Sequence, residues 1–364
     1  MKGTPLPGLA LAAALAALAL VLAGWIGADL LGYARSPISP VLVAVLLGLA
    51  VRNTVGVAAT FEPGVRLCIT RVLRVSVALL GIRLSLAAAG TMGLSALPVV
   101  TVTIAAAIII VTGLTRLFAL PRRLGTLIAV GTAICGITAI VATAPVIGAD
   151  EDETSYAVGT IAIFGMLAML AYPFLAYEMF GDPHNAGLFL GTAIHDTSQV
   201  AGAALAYAQQ FGAPVTLETA TVTKLIRNLS MALVIPLLGV MYQRRRTESE
   251  IEADGGTPTD DSAGARIRRM VPLFIIGFVA MTALRSIGDL GNRPFGVLDP
   301  GTWEMIIAAA ERASEIGLLI AMAAVGLGTG LARMRTLGLR PLAMGMAAAA
   351  TVGAVSWGMI AVTS

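Results

Sequence analysis

The chain has 364 residues, of which 57% are hydrophobic and 12% charged, and its mean hydropathy is +0.88. Soluble domains are about 45–50% apolar and about 25% charged, so this composition excludes an ordinary soluble fold and points to a bilayer. The formal charge of +3 does not indicate nucleic-acid binding, because the basic residues stand at the ends of apolar runs, where they act as topology signals.

Apolar stretches fall near residues 9–28, 38–58, 72–90, 92–115, 124–148, 155–178, 186–208, 218–242, 270–288, 303–332 and 338–362. They lack strand alternation, and a span must satisfy its own backbone hydrogen bonds, so they read as helices. Eleven spans of about 20 residues take roughly 220 positions. The fold class expected is an all-α polytopic membrane protein of about eleven transmembrane helices. The first stretch follows Lys2 and exceeds the usual apolar core of a signal peptide, so it is kept as a span.

With the N-terminus cytoplasmic and sides alternating, the cytoplasmic segments hold Lys2, Arg52, Arg66, Arg71, Arg74, Arg116, Arg122, Arg123, the arginines of 244–269, Arg333, Arg335 and Arg340. The opposite side holds only Arg35, Arg83, Arg285, Arg293 and Arg312. The bias supports an N-in, C-out topology. Residues 61–74 carry Arg66, Arg71 and Arg74 among apolar neighbours, as either a helix end or a segment lying on the anionic leaflet. Cys68 is placed at the cytoplasmic surface and Cys135 inside the membrane, so no disulfide is expected.

The fifth stretch, GTLIAVGTAICGITAIVATAPVIGADEDE, is interrupted by Gly131, Gly136 and Pro145 and carries Thr132, Thr138 and Thr143. Freed backbone groups at membrane depth are tolerated only where protein or a cavity satisfies them. A half-helix N-terminus then offers amide donors to an anion; close packing through small residues is the alternative. Asp150 to Glu153 read as a solvated cap on the extracellular side.

The seventh stretch places His195, Asp196, Thr197, Ser198 and Gln199 in succession beside apolar runs. Five consecutive polar residues at such depth must face water, a ligand or one another, which makes this the strongest local functional signal. The adjacent carboxylate and imidazole make proton coupling conceivable. In the eighth stretch Lys224, Arg227 and Asn228 share a helix face. Two cations there either form an anion-attracting wall, pair with an acid such as Asp196, or snorkel.

The 243–269 segment, QRRRTESEIEADGGTPTDDSAGARIRR, lacks apolar periodicity and reads as a flexible cytoplasmic linker. The tenth stretch opens on Glu304, Glu311, Arg312 and Glu315 and closes on the glycine-rich AMAAVGLGTGL. Two internal echoes suggest repeats: Leu80–Leu86 with Val325–Leu331, in oppositely directed spans, and Gly131-Thr132-Ala133-Ile134 with Gly191-Thr192-Ala193-Ile194. The second pair lies in spans running the same way under this topology, so it does not fit the same inversion: either it is chance in an Ala/Gly-rich chain or a boundary near 180–190 differs. No phosphate loop, metal-ligand spacing or nucleophile elbow occurs, and neither an enzyme nor a cofactor is indicated.

The segments GTAICGITAIVATAPVIGADEDETSYAVGTIAIFG, GTAIHDTSQVAGA, ATVTKLIRN and LLIAMAAVGLGTGL, in this order, resemble the YeiH-like sulfate exporter family of bacterial inner membranes from about residue 35 onward. The resemblance implies a fold similar to bile acid/sodium symporters and sodium/proton antiporters: an inverted-repeat transporter core with discontinuous crossing helices, set against a panel. It places the family's motif on Gly131, Thr132, Cys135, Gly136, Thr138, Ala139, Pro145, His195, Asp196, Thr197, Gln199, Lys224 and Arg227.

The expectation is a secondary transporter exporting a small, sulfate-like anion by alternating access. Gly131, Thr132, Cys135, Gly136, Thr138, Ala139, Thr197, Gln199, Lys224 and Arg227 would bind substrate, and His195 with Asp196 would couple transport. The alternative is a sodium- or proton-coupled cation or organic-anion transporter centred on Asp196. A receptor or scaffold is disfavoured because no folded soluble domain is encoded. The expected organisation is an accessory helix at 1–34, core segments at 35–242 and 270–364, and the linker between them. Expected partners are the anion, a coupling proton or sodium ion and membrane lipid, with a homo-oligomer compatible and nucleic acid excluded.

Overall fold

The computed structural model of the chain describes residues 4–26, 39–243, 273–290, 293–330 and 339–363. Beyond residue 243 the expected linker lies outside the described residues, as do Arg35, Arg333, Arg335 and the end of the tenth apolar stretch. All elements are helical, with no strand among the described residues. The helices are α1 (Leu6–Trp25), α2 (Pro40–Thr54), α3 (Glu62–Leu67), α4 (Leu73–Leu79), α5 (Leu86–Leu117), α6 (Arg122–Ala133), α7 (Ile137–Ile147), α8 (Glu151–Met179), α9 (Pro183–Ala193), α10 (Thr197–Phe211), α11 (Pro214–Leu229), α12 (Met231–Gln243), α13 (Leu273–Gly288), α14 (Pro300–Gly328) and α15 (Leu339–Thr363). A π turn over Cys68–Val72 joins α3 to α4, and a 3-10 turn over Leu80–Arg83 follows α4. Residues 62–83 therefore form one bulged helical run. Cys68 and Cys135 are both free and both buried within the protein.

Among the described residues, five helical segments are long and apolar enough to cross a bilayer: Leu6–Trp25, Leu86–Leu117, Asp152–Met179, Pro214–Tyr242 and Arg340–Thr363. Their ends are fixed by local chemistry. Ser85 caps α5 by accepting from the Ala88 amide at 3.1 Å. Asp150 and Glu153 form a reciprocal capping box at the start of α8, and Asp182 before Pro183 caps α9.

The fifth and seventh apolar stretches do not cross as single spans. Each is a helix, a three-residue break and a second helix that turns back. In the first hairpin, α6–α7, the two outer ends meet: a Cβ built on Gly148, just past α7, would lie 3.8 Å from an Arg123 nitrogen in the first turn of α6. Both ends also contact α12, where Tyr242 bonds Thr126 at 2.6 Å and sits under Arg122, while Gly239 abuts Val146. A straight helix over the same residues would hold those ends over 30 Å apart at about 1.5 Å per residue.

The second hairpin, α9–α10, closes in the same manner at the other end of the bundle. The Thr216 hydroxyl, at the start of α11, donates to the Pro183 carbonyl at 2.9 Å. Phe211, at the end of α10, stacks on Tyr177 near the end of α8, with ring centroids 4.0 Å apart. The base of the first hairpin thus stands by the start of α8 and the end of α12, and the base of the second by the end of α8 and the start of α11. The two hairpins enter from opposite ends. Their inner arms have 12 and 11 residues, about 18 Å of helix, so their tips reach about the middle of a 30 Å hydrocarbon core.

Two positions follow from this geometry. Asp150 to Glu153 lie at the same end as Arg122 and Arg123, not across the membrane from them, because the hairpin returns to its starting side. The echo between Gly131–Ile134 and Gly191–Ile194 marks the inner ends of α6 and α9, which point at each other from opposite ends.

The helices divide into two bundles, α5 to α12 with α15, and α1 to α4 with α13 and α14. They meet chiefly where α10 lies on α14 and α2; Ser39 donates to Gln209 there at 3.0 Å, and Gly202 leaves room for Met322. Within the smaller bundle, α2 and α14 touch backbone to backbone at Gly48 and Gly326, where a Cβ on Gly48 would collide with the Ala323 carbonyl oxygen. Gly48→Ala is expected to lower stability by about 1–3 kcal/mol through overpacking, read as a lower melting temperature in detergent. An unchanged melting temperature would mean that the two helices separate freely.

Candidate functional site

Each hairpin breaks on a short, specified sequence. After α6, Ile134 leaves the helical region (φ −117°, ψ −90°) and Gly136 takes φ +66°, ψ −127°, a conformation reserved in practice for glycine. After α9, Ile194 is extended and Asp196 becomes the cap of α10. The tips touch: a Cβ on Gly136 would lie 3.1 Å from both Cβ and Oδ2 of Asp196.

A helix end leaves its last carbonyls without intrahelical donors, and here two such ends are buried side by side. Lys224 and Arg227 of α11 supply the donors. They reach the tips because α11 runs alongside α9, with Thr219 against Gly187 and Thr223 against Gly191. Arg227 donates from Nε to Ala133 at 2.7 Å and from Nη1 to Thr192 at 2.6 Å, Ile194 at 2.9 Å and Gly191 at 3.4 Å, and from Nη2 to Thr132. Lys224 Nζ donates to Ile134 at 2.9 Å, Ile194 at 3.2 Å and His195. Both cations are buried, and neither forms an ion pair with Asp196 among the described residues. Their charge faces carbonyls of both hairpins.

The opposite ends of the breaks carry donors. The first bond of α7 runs from the Ile140 amide to the Gly136 carbonyl at 3.3 Å, so the amides of Ile137 to Ala139 have no intrahelical acceptor. No side chain of its N-cap residue, Gly136, can cover them. Ile137 and Thr138 are exposed, and Thr138 has no hydrogen-bond partner among the described residues. Asp196 and Thr197 at the start of α10 are half-buried. The Asp196 carboxylate accepts from the Ser198 amide at 2.9 Å and hydroxyl at 2.6 Å, and from the Gln199 amide in a capping box.

The charges can be weighed. Two helix C-termini contribute about −0.5 each and two N-termini about +0.5 each, which cancel. Lys224 and Arg227 add two positive charges and Asp196 removes one. The balance at the tips is positive by about one unit.

Cys135, Gly136, Thr138, Ala139, His195, Asp196 and Thr197 thus gather at the tips, with Thr132, Lys224 and Arg227 behind them. Cys135 Sγ lies 3.2 Å from Met231 Sδ. His195 is wholly buried, and neither ring nitrogen has a hydrogen-bond partner. Gly131 packs one arm of its hairpin on the other, against Ile140 and Ile161. Gln199 is spent structurally: its Oε1 accepts from the Asp196 amide at 3.2 Å and its Nε2 donates to the Ala162 carbonyl of α8 at 3.2 Å. Pro145 sits at the base of its hairpin, away from the tips. Sequence reasoning gave no role to Asn228, whose Nδ2 donates to Thr197 at 3.1 Å, or to Ser356, whose hydroxyl bonds Thr192. The first was visible on the Lys224 face; the second, distant in sequence, carried no signal.

A family model, conserved hypothetical protein 698, matches residues 7–345, a region that contains both hairpins and α11. The chain belongs to this family. Among its relatives is a UPF0324 membrane protein of Streptococcus agalactiae serotype V, 30% identical over 312 residues, covering 86% of this chain and 85% of the relative. Another, from Agrobacterium fabrum, is 30% identical over 358 residues, 98% and 93% of the two chains. A third, from Nitratidesulfovibrio vulgaris, is 27% identical over 351 residues, 96% and 91%. No solved structure matches the chain. Family membership and the five apolar spans make this UPF0324 chain a membrane protein.

Proposed function

We propose that the chain is a secondary transporter for a small inorganic or sulfur-containing anion, of the sulfate-exporter type that its sequence resembles. One observation carries this reading: two helix N-termini converge at mid-depth while two buried cations neutralise the carbonyl ends behind them. Anion recognition needs free donors and an excess of positive potential, and both support this reading at the tips. The amides of Ile137 and Thr138, the Thr138 hydroxyl and the start of α10 would contact the anion. Lys224 and Arg227 would act from behind, as fixed charges holding the tips together.

The hairpins enter from opposite ends and carry the same GTAI sequence at their inner ends, which supports an inverted-repeat relation within an eleven-segment fold. Alternating access would then be a displacement of the hairpin bundle against the smaller bundle along α10, opening the tips to either end in turn. The half-exposed Asp196, with His195 beside it, would couple the movement to protons. With the arginine bias read as cytoplasmic, the N-terminus, the base of the first hairpin and the linker face the cytoplasm. No enzymatic step is assigned to these residues.

Uptake of labelled sulfate into proteoliposomes under an imposed pH gradient, with sulfite, thiosulfate and chloride as competitors, tests this reading. Saturable, competed uptake is expected. Thr138→Val, which removes a hydroxyl with no structural partner, is expected to raise the half-saturation concentration about tenfold, the worth of one hydrogen bond to a charged group, without altering the melting temperature. Flux that follows sodium or proton gradients with no anion present would instead favour the cation reading centred on Asp196.

A further inference from the structure

The tips offer acceptors as well as donors, and this bears on which anion they suit. Asn228 is 2% exposed. Its Nδ2 is committed to the Thr197 hydroxyl, while its Oδ1 has no hydrogen-bond partner among the described residues. A buried acceptor without a donor is a standing cost, one that a ligand with a donor relieves and a ligand without one does not. Asn228 reaches Thr197, the residue next to Asp196, so its side chain and the half-exposed carboxylate both lie at the start of α10, and the Asp196 carboxylate borders Gly136, the residue before α7.

We infer that the site selects a singly charged oxyanion that carries its own O–H group, over a fully deprotonated dianion. This rests on the anion-transport reading and narrows it: labelled sulfate would still be carried, as a weaker substrate than a hydroxyl-bearing monoanion. The negative oxygens of such a ligand would take the amides of Ile137 and Thr138, and its hydroxyl would donate toward Asn228 Oδ1. A dianion brings no donor to that oxygen and sets a second negative charge against the Asp196 carboxylate. A metal cation would satisfy the same acceptors, but Lys224 and Arg227 already hold the carbonyls that would complete its shell and repel it.

Hydrogencarbonate and nitrate form a matched pair of probes: both are planar monoanions of similar size, and only the first has an O–H. Binding to the full chain in lipid nanodiscs, read by calorimetry at neutral pH, is expected to favour hydrogencarbonate over nitrate by about tenfold or more, the worth of satisfying one buried acceptor, with sulfate weaker than hydrogencarbonate. Asn228→Leu should erase the preference by weakening hydrogencarbonate alone. Asn228→Ser, a smaller change, should reduce it and guards against a folding defect in the leucine variant. Asp196→Asn should raise sulfate affinity relative to both monoanions. Equal binding of hydrogencarbonate and nitrate to the native chain, or tighter binding of sulfate, overturns the inference while leaving anion transport standing. Absence of binding by all three anions overturns both, and a sodium-dependent signal in their place would assign the acceptors to a cation.

Discussion

Arg227→Leu is expected to cost the protein about 4 kcal/mol or more. The guanidinium makes five hydrogen bonds, to the carbonyls of Thr132, Ala133, Gly191, Thr192 and Ile194. Among the described residues, only Ile194 has a second side-chain donor, Lys224. Leucine would leave four buried carbonyls unpaired, each at about 1 kcal/mol even at the low end of the measured range. Against a total stability of about 5–15 kcal/mol, this should appear as poor yield and a sharply lowered melting temperature in detergent. Arg227→Lys should recover only part of the loss, because an ammonium lacks the planar fork that spans two helix ends at once. A leucine variant that melts with the native protein would show that the hairpin tips are held by packing and not by this side chain.

The same side chain shows what sequence can and cannot disclose. That Lys224 and Arg227 share a face and require a partner inside the membrane follows from spacing and the cost of burying charge. Their partners are backbone carbonyls, which every residue has and no sequence advertises, so neither an acidic pairing nor an anion-attracting wall anticipates the arrangement. The break at Gly136 was legible from glycines within an apolar run, and the run His195 to Gln199 was legible as a polar cluster, though not as a second break. The return of each chain to its own side was not legible, because a stretch of about 25 apolar residues looks alike whether it spans or doubles back. The GTAI echo, unfitting under simple alternation, fits an inverted relation once the first stretch doubles back, because α6 and α9 then enter from opposite ends. The two reversals cancel along the chain, which is why an alternating topology still gives a consistent arginine bias beyond α12.

Gly136→Ala is expected to abolish most transport while sparing the fold. Gly136 adopts φ +66° and ψ −127°, a region that costs a side-chain-bearing residue about 1–3 kcal/mol, and its new methyl would press on Asp196, 3.1 Å from Cβ and Oδ2. Relief requires the tips to part, which withdraws the amides of α7 from the start of α10 and tilts the Asp196 cap. Each hydrogen bond lost to a charged ligand is worth about 1.5 kcal/mol or more, so uptake should fall at least about tenfold. Gly148→Ala separates this from backbone strain alone: Gly148 also has positive φ, +65°, but it lies at the base of the hairpin with nothing closer than 3.8 Å to the added methyl. Both variants should melt lower than the native chain, and only Gly136→Ala should stop the flux. If the Gly148 variant loses transport equally, or the Gly136 variant keeps it, the site does not lie where the two hairpins touch.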